Sequence, residues 1–202
     1  MNVERYVMGV FATNTYFVGD DKEVIIIDPA GKTEKVESLL QDRKPVAILL
    51  THGHFDHIKA VDGLHKKYNC PIYLNKEDEK IARSAKQGEV FGINNSAHIS
   101  SPINYLEQGP LKIGNFTFEV IFTPGHTSGS VCYQIDNCLF TGDTLFHLSC
   151  GRTDLYSGND REMKSSLRIL KELSDDLLVY PGHEDTSTLK IEKEFNPFMK
   201  TI

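Results

Sequence analysis

Long apolar segments are missing from this 202-residue chain. No run approaches the roughly 20 residues that a membrane-spanning helix needs. Residues 1–5 also lack the basic region and the apolar stretch that open a secretory signal. We therefore expect a cytoplasmic protein that has no membrane partner.

Dense clusters of lysine and arginine are missing as well. The chain has 22 basic and 28 acidic residues, a formal net charge of -6, and no stretch that could follow a phosphate backbone. Nucleic acid is therefore not an expected partner. No repeat, low-complexity tract or linker interrupts the sequence, so we predict a single domain over residues 1–202.

Cysteine is scarce, and its spacing lacks the close pairs of a zinc knuckle or a redox motif. The four cysteines lie far apart, at Cys70, Cys132, Cys138 and Cys150. We expect free thiols in a reducing compartment. No neighbouring His or Lys pattern marks Cys150 as an activated thiolate, so we interpret it as a small packed residue.

One short segment, residues 51–57, concentrates three imidazoles and a carboxylate directly after an apolar run. Such side chains are common protein ligands of zinc and iron. His52 and His54 are two residues apart, so an extended backbone points both to one side, where they can hold one ion. Asp56 and His57 can face a second ion. The segment predicts a metal site.

Three later segments share one layout, in which an apolar strand runs into a turn of small residues with one metal-competent side chain. These turns carry His126, Asp143 and His183, after the predicted strands 116–122, 138–140 and 177–180. Glycine and proline suit such tight turns. We expect each ligand to be delivered by the end of a strand.

The remaining pattern alternates strands with helices. Three strands at the start are expected to pair antiparallel, and a βαβα order follows, with its second helix over residues 77–85. Residues 86–105 have weak periodicity and predict a long loop over the site, where substrate selectivity is expected. The second half is again rich in strands and ends in helices over residues 160–173 and 186–195.

In their order and separation, the segments THGHFDH, PGHTSGS, GDTLF and PGH resemble the metallo-β-lactamase superfamily. The resemblance covers essentially the whole chain. It is nearest to the short, single-domain relatives of glyoxalase II, the hydroxyacylglutathione hydrolases. It implies an α/β fold, an αββα sandwich of two mixed β-sheets flanked by helices.

The resemblance also implies a ligand set. It assigns His52, His54 and His126 to a first metal, Asp56, His57 and His183 to a second, and Asp143 to a bridge between them. It implies two divalent ions as cofactors, with zinc favoured and iron or manganese as alternatives. Asp28 is implied to lie near the cluster and to accept the N–H of a ligand histidine. The alternative role for Asp28 is a turn or helix cap.

The implied activity is hydrolysis of a small-molecule thioester or ester by a metal-bridging hydroxide. Asp56 and Asp143 are the predicted catalytic carboxylates, and Asp143 is expected to orient the hydroxide rather than to attack. We expect a monomer or a homodimer.

The CGRTD segment, residues 150–154, is the guide to the substrate. Longer glyoxalase II enzymes have a basic residue at the position of Arg152 that contacts the glutathione carboxylate, so Arg152 is predicted to bind substrate. Their two pocket aromatics are replaced here by Asp154 and Asp185, which argues against glutathione, and Asp154 could instead pair with Arg152. CGRTD also resembles the persulfide dioxygenases, which hold one iron, and this is the alternative function.

Overall fold

A computed structural model describes all 202 residues, Met1–Ile202. The chain forms two compact units, Met1–Leu106 and Glu107–Ile202, and each contains a six-stranded mixed β-sheet. The predicted fold class, two mixed sheets with helices, is confirmed. The single domain over residues 1–202 stays a prediction. No helix combines the length and the apolar character that crossing a bilayer requires.

The first unit is built on a sheet whose strands lie in chain order. They are β1 (Asn2–Met8), β2 (Thr13–Gly19), β3 (Glu23–Ile27), β4 (Lys44–Leu49), β5 (Ile72–Leu74) and β6 (Asn104–Tyr105). The first three pair antiparallel, as predicted. From β3 to β6 the pairing is parallel. The carboxyl ends of β3 and β4 therefore meet at one edge, which is where ligands bind in open parallel sheets.

Two helices pack on this sheet through one apolar stripe each. Helix α1 (Thr33–Leu40) buries Val36 and Leu40, and helix α2 (Val61–Tyr68) buries Val61 and Leu64. Spacings of three and four residues place such pairs on one helix face. They share a core with the apolar residues of β3 and β4. Both strands are thus anchored in one apolar core.

Two expectations for this unit need correction. The helix expected over residues 77–85 is a 3-10 turn, Lys76–Asp78, followed by a short helix α3 (Glu79–Ala82). Asp78 is buried and accepts a hydrogen bond from the Gly53 backbone, which explains why it does not take a place on a polar helix face. The segment expected as a loop contains a 3-10 helix, Gln87–Phe91, and β6.

The second unit has a sheet of order β14-β13-β10-β9-β8-β7. Its strands are β7 (Gly109–Ile113), β8 (Phe116–Phe122), β9 (Val131–Ile135), β10 (Cys138–Gly142), β13 (Leu178–Pro181) and β14 (Ser187–Thr188). Strands β10 and β13 pair parallel, whereas the other pairs are antiparallel. A small hairpin between β10 and β13, formed by β11 (Leu145–Phe146) and β12 (Ser149–Cys150), was not predicted.

Helices α4 (Asp160–Lys171), α5 (Leu189–Phe195) and α6 (Pro197–Lys200) complete this unit. Helix α4 begins after Asn159, whose side-chain oxygen accepts from the Arg161 backbone N–H at 2.9 Å. It buries Met163, Leu167 and Leu170 in a core shared with β9, β10 and β13. The ends of β8 and β10, where ligand residues were predicted, are thereby held on a packed framework.

Candidate metal centre

The first ligand segment, residues 51–57, follows β4 and closes into a tight turn over residues 54–57. In this ligand turn the His57 backbone N–H donates to the His54 carbonyl at 3.0 Å. The Gly53 N–H donates to Asp78 Oδ2 at 2.8 Å. A Cβ atom at position 53 would lie only 2.8 Å from the Asp78 carbonyl oxygen. Glycine at this position lets the segment pack directly on the 3-10 turn.

The imidazoles of this segment converge. The ring centroid of His52 lies 4.8 Å from that of His54 and 4.2 Å from that of His57. His57 Nε2 lies 3.6 Å from Asp56 Oδ2, and the same oxygen accepts from the Thr13 hydroxyl at 2.9 Å. Thr13, at the start of β2, thus fixes the carboxylate beside the imidazole. No local pattern in the sequence pointed to Thr13.

Asp28 directly follows β3 and contacts Thr51 and His57 in the first ligand segment. Its Oδ1 accepts from the Thr51 backbone N–H at 2.8 Å. Its Oδ2 accepts from the Thr51 hydroxyl at 2.6 Å and lies 2.9 Å from His57 Nδ1. Asp28 has a φ of +49°, a left-handed backbone that aspartate tolerates better than most residues. The structure places Asp28 where the resemblance implied, and its role stays a prediction.

These hydrogen bonds determine which ring nitrogen of each histidine carries the proton. A carboxylate only accepts, so His57 donates from Nδ1 to Asp28. The Thr51 hydroxyl gives its proton to Asp28 and therefore accepts from His52 Nδ1, 3.0 Å away. Both rings keep the lone pair on Nε2, the state that a metal ligand needs.

Asp28, His52 and His57 bring potential ligand atoms within 4.8 Å of one another. Asp28 nevertheless faces the protonated Nδ1 side of His57 and, through Thr51, of His52. An ion bound by the Nε2 atoms would lie on the opposite side of the rings. Asp28 therefore suits an orienting role better than a ligand role.

The second unit brings its own three predicted ligands together. Asp143 Oδ2 lies 3.4 Å from His126 Nε2 and 3.5 Å from His183 Nε2. His126 Nδ1 lies 2.7 Å from the Arg152 carbonyl oxygen, which can only accept, so this ring also keeps its lone pair on Nε2. The Phe146 ring packs edge-on against His183, with 5.9 Å between centroids.

Glycines allow the close approach of the turns in this unit. Gly125 has a φ of +145°, and a Cβ there would lie 2.4 Å from the Met163 Cα in α4. At Gly151 a Cβ would lie 1.8 Å from the Asp143 carbonyl oxygen. The Gly182 N–H donates to the Gly142 carbonyl at 2.8 Å, which joins the turns of Asp143 and His183. The three side chains are consequently held by backbone contacts.

The donor spacing within each unit fits metal binding. Two ligand atoms about 2.1 Å from one ion, at a tetrahedral angle, lie about 3.4 Å apart. The three imidazole–carboxylate pairs measure 3.4, 3.5 and 3.6 Å. These pairs offer nitrogen and oxygen donors of the kind that zinc and iron take. The residues present fit a divalent metal ion.

A buried carboxylate supports the β11/β12 hairpin. Glu192 Oε2 accepts from the Leu148 backbone N–H at 2.8 Å and from Asn196 Nδ2 at 2.9 Å. Its Oε1 accepts from the Ser187 hydroxyl at 2.5 Å and lies 3.1 Å from His147 Nδ1. The hairpin leads to Arg152, whose carbonyl orients His126. Sequence patterns did not reveal this arrangement, because His147 and Leu148 lie 45 and 44 residues from Glu192 along the chain.

Arg152 and Asp154 form a bidentate ion pair. Nε and one terminal nitrogen of Arg152 donate to the two Asp154 oxygens at 2.6 and 2.7 Å. These hydrogen bonds lower the pKa of Asp154 to about 2. Both side chains are more than half exposed. The guanidinium predicted to bind substrate thus already holds a carboxylate, which matches the alternative of a structural pair.

The cysteines are free, as expected. Burial raises the pKa of the Cys150 thiol to about 11. The thiol is therefore protonated near neutral pH and is a poor nucleophile there. This agrees with the interpretation of Cys150 as a packed residue.

Comparison with known proteins identifies the family of this chain. Residues 8–183 match the family model described as the metallo-beta-lactamase superfamily. A probable metallo-hydrolase, YqgX of Bacillus subtilis, is 35% identical over 98% of both chains. The hydroxyacylglutathione hydrolase GloC of Haemophilus influenzae is 33% identical over 100% of this chain and 99% of its own.

Solved structures agree over nearly the full length. The BLEG-1 B3 metallo-beta-lactamase is 35% identical, with a TM-score of 0.90 over 98% of this chain and 99% of its own. TTHA1623, solved in a di-iron-bound form, is 33% identical, with a TM-score of 0.89 over 97% of this chain and 100% of its own. ETHE1 from Myxococcus xanthus is 30% identical, with a TM-score of 0.78 over 98% of this chain and 84% of its own. The chain belongs to the metallo-β-lactamase superfamily.

Proposed function

We propose that this protein is a binuclear metal-dependent hydrolase that cleaves a small-molecule thioester or ester. The position of Asp143 carries the proposal. One of its oxygens faces two imidazole nitrogens, of His126 and His183, at 3.4 and 3.5 Å. A carboxylate placed between two such imidazoles is what a bridge between two ions requires.

The proposal adopts the ligand assignment that the family resemblance implies. The first ion would be held by His52, His54 and His126, the second by Asp56, His57 and His183, with Asp143 shared. Zinc is the proposed metal. The proposed setting is the cytoplasm, in line with the free thiols, and the proposed assembly is a monomer or a homodimer.

When bound, two divalent ions lower the pKa of a water from about 15.7 toward neutrality and polarise the substrate carbonyl. The chain supplies orientation. Asp56, held by Thr13, and Asp143 accept hydrogen bonds from the attacking water and aim its lone pair at the carbonyl carbon. Asp28 keeps His57 and, through Thr51, His52 in the binding tautomer. No side chain of the protein forms a covalent bond to the substrate.

The GloC relative supports a thioester, because it is named a hydroxyacylglutathione hydrolase and matches along the full chain. The Arg152–Asp154 ion pair argues against glutathione as part of the substrate. A guanidinium that holds a neighbouring carboxylate is a weaker site for a glutathione carboxylate. We therefore propose thioester chemistry with a substrate other than glutathione conjugates.

A persulfide dioxygenase with one iron is the second candidate. One observation favours it: the CGRTD segment resembles such enzymes. TTHA1623, which is similar along the full chain, is described in a di-iron-bound form, which supports iron as the metal but two ions rather than one. Imidazole and carboxylate ligands suit iron as well as zinc.

One experiment separates the candidates. The protein is purified without added metal, its metals are quantified by mass spectrometry, and it is assayed on S-lactoylglutathione, on simple acyl thioesters and on glutathione persulfide with an oxygen electrode. We expect about two zinc ions per chain and thioester cleavage without oxygen uptake. One iron with oxygen uptake on the persulfide would overturn the proposal.

The site itself is tested with Asp143→Ala. We expect this variant to lose bound metal and thioester cleavage together. Asp21→Ala, which changes an exposed residue in the turn between β2 and β3, is the matched control and should retain both. Full metal content and full cleavage in Asp143→Ala would contradict the assigned site.

A further inference from the structure

Three phenylalanine rings form a cluster beside the first ligand segment. The ring centroids of Phe11 and Phe55 lie 5.6 Å apart, those of Phe11 and Phe91 5.4 Å, and those of Phe55 and Phe91 6.1 Å. The first two pairs are edge-to-face, a favoured geometry for aromatic pairs. The rings come from the β1–β2 turn, the ligand turn and the Gln87–Phe91 3-10 helix. We call this cluster the phenylalanine triad.

The triad is open to solvent on one side. Phe91 is 42% exposed, and its neighbour Val90 is 74% exposed. Val10, adjacent to Phe11, is 89% exposed. Single exposed apolar residues are common on proteins, but a group of them at one place marks a binding surface more often than chance.

Gln87 holds the triad to the ligand segment. Its side-chain oxygen accepts from the Phe55 backbone N–H at 3.0 Å. Its side-chain nitrogen donates to the Gly53 carbonyl at 3.2 Å and to the Ile81 carbonyl at 2.6 Å. The helix that carries Phe91 is therefore fixed to the turn that carries Phe55. A surface ordered in advance loses little entropy on binding.

The position of Phe55 ties the triad to the chemistry. Phe55 lies between the predicted ligands His54 and Asp56, in a turn closed by the His57 N–H and the His54 carbonyl. Consecutive Cα atoms are about 3.8 Å apart. The phenylalanine triad therefore directly adjoins the predicted ligands His54 and Asp56 along the chain.

We propose that the phenylalanine triad recognises an apolar group, alkyl or aryl, on the thioester or ester substrate. This inference rests on the proposed function and deepens it by naming the substrate class. The three side chains carry no charge and no hydrogen-bond donor, so they select by apolar area and shape. The triad thus explains how the site can bind a thioester without a cation for a carboxylate.

A series of acyl thioesters with one common thiol tests the selectivity. From acetyl to hexanoyl we expect kcat/KM of the metal-loaded protein to rise by up to about fourfold per methylene, the equivalent of about 0.8 kcal/mol. Phe91→Ala should flatten this rise. Phe195→Ala, which removes an exposed ring from α5, is the matched control and should keep it. An equal rise in Phe91→Ala and in the natural protein would overturn the proposal.

A binding measurement adds a readout that does not depend on turnover. The chain has no tryptophan, so Phe91→Trp introduces a single reporter. We expect its emission to shift to shorter wavelength, with saturation, when a non-hydrolysable alkyl or benzyl thioether is added. Phe195→Trp is the control and should not respond. The proposal would be overturned if the emission of Phe91→Trp did not respond to the thioether. It would also be overturned if the emission shifted with protein concentration alone, as self-association would produce.

The outcomes also separate this inference from the proposed function. If no thioester or ester is cleaved but Phe91→Trp binds the thioether, the proposed hydrolase fails and the apolar surface remains. If thioesters are cleaved without dependence on acyl length, the hydrolase remains and the triad proposal fails.

Discussion

Asp28 Oδ2 lies 2.9 Å from His57 Nδ1, and the same oxygen accepts the Thr51 hydroxyl, which in turn faces His52 Nδ1. One buried carboxylate therefore contacts, directly or through Thr51, two imidazoles that the family resemblance assigns to different ions. The carboxylate also ties the end of β3 to the segment after β4, because its other oxygen accepts the Thr51 backbone N–H. Thr51 and His57 lie 23 and 29 residues from Asp28 along the chain, so its contacts with them are not local in sequence.

Replacement of this carboxylate should weaken metal binding. In Asp28→Asn the amide nitrogen would face either the Thr51 backbone N–H or the pair formed by the Thr51 hydroxyl and His57 Nδ1. At least one of these donors therefore loses its acceptor, and the remaining oxygen no longer carries a charge. We expect a fall of about 10- to 100-fold in metal affinity, measured by competition with a chromophoric chelator. Asp20→Asn, which alters an acceptor of two backbone N–H groups in an exposed turn, is the control. Unchanged affinity in Asp28→Asn would contradict the orienting role.

The buried carboxylate of Glu192 should stabilise the second unit. Glu192→Met keeps the length of the side chain but removes both acceptor oxygens, so the Leu148 backbone N–H and the Asn196 amide lose their shared partner. We expect a loss of about 1–3 kcal/mol in the free energy of unfolding, measured by urea denaturation. Glu194→Met, which changes an exposed residue two positions away in the same helix, should change stability little. A similar loss in both variants would argue against a special role for Glu192.

The Arg152–Asp154 pair should limit binding of anionic substrates. Asp154→Asn releases the guanidinium, so KM for S-lactoylglutathione should fall while kcat for an uncharged thioester stays constant. The pair is exposed, and exposed pairs contribute at most about 1 kcal/mol, so we expect no more than about a fivefold effect. Steady-state kinetics with both substrates measure it. The decrease in KM should disappear in the double variant Asp154→Asn/Arg152→Ala. A decrease that persists there would have another cause than the released guanidinium.

Buried thiols should make the protein sensitive to alkali. Burial raises the pKa of the Cys132 thiol from 9.0 to about 12 and that of Cys70 to about 11. The folded chain therefore keeps thiol protons that the unfolded chain releases above pH 9. The contribution of these thiols to stability is constant below pH 9 and should fall as pH rises from 9 toward 12. Urea denaturation under reducing conditions at pH 8, 9.5 and 10.5 measures the slope. Cys132→Ala should show a smaller slope, and an equal slope would exclude this thiol as a cause.

The candidate ligands could be predicted from the sequence because their signals are local. Each predicted ligand follows an apolar strand and lies in a turn of glycine, proline or threonine, and such patterns depend on neighbouring residues only. Strand β8 was predicted with the bounds that the structure has, Phe116–Phe122, because apolar and polar residues alternate over its first five positions. By contrast, the hairpin β11/β12 has strands of two residues, which are too short to show a period.

The sequence by itself therefore determined the superfamily, the two mixed sheets and the candidate ligands. Only the tertiary structure decided what surrounds these side chains: Thr13 on Asp56, the Arg152 carbonyl on His126, Asp78 on Gly53 and Gln87 on Phe55. These partners lie 25 to 43 residues apart along the chain. Hydrogen bonds of this range form only after the strands and helices have packed, so no spacing in the sequence records them.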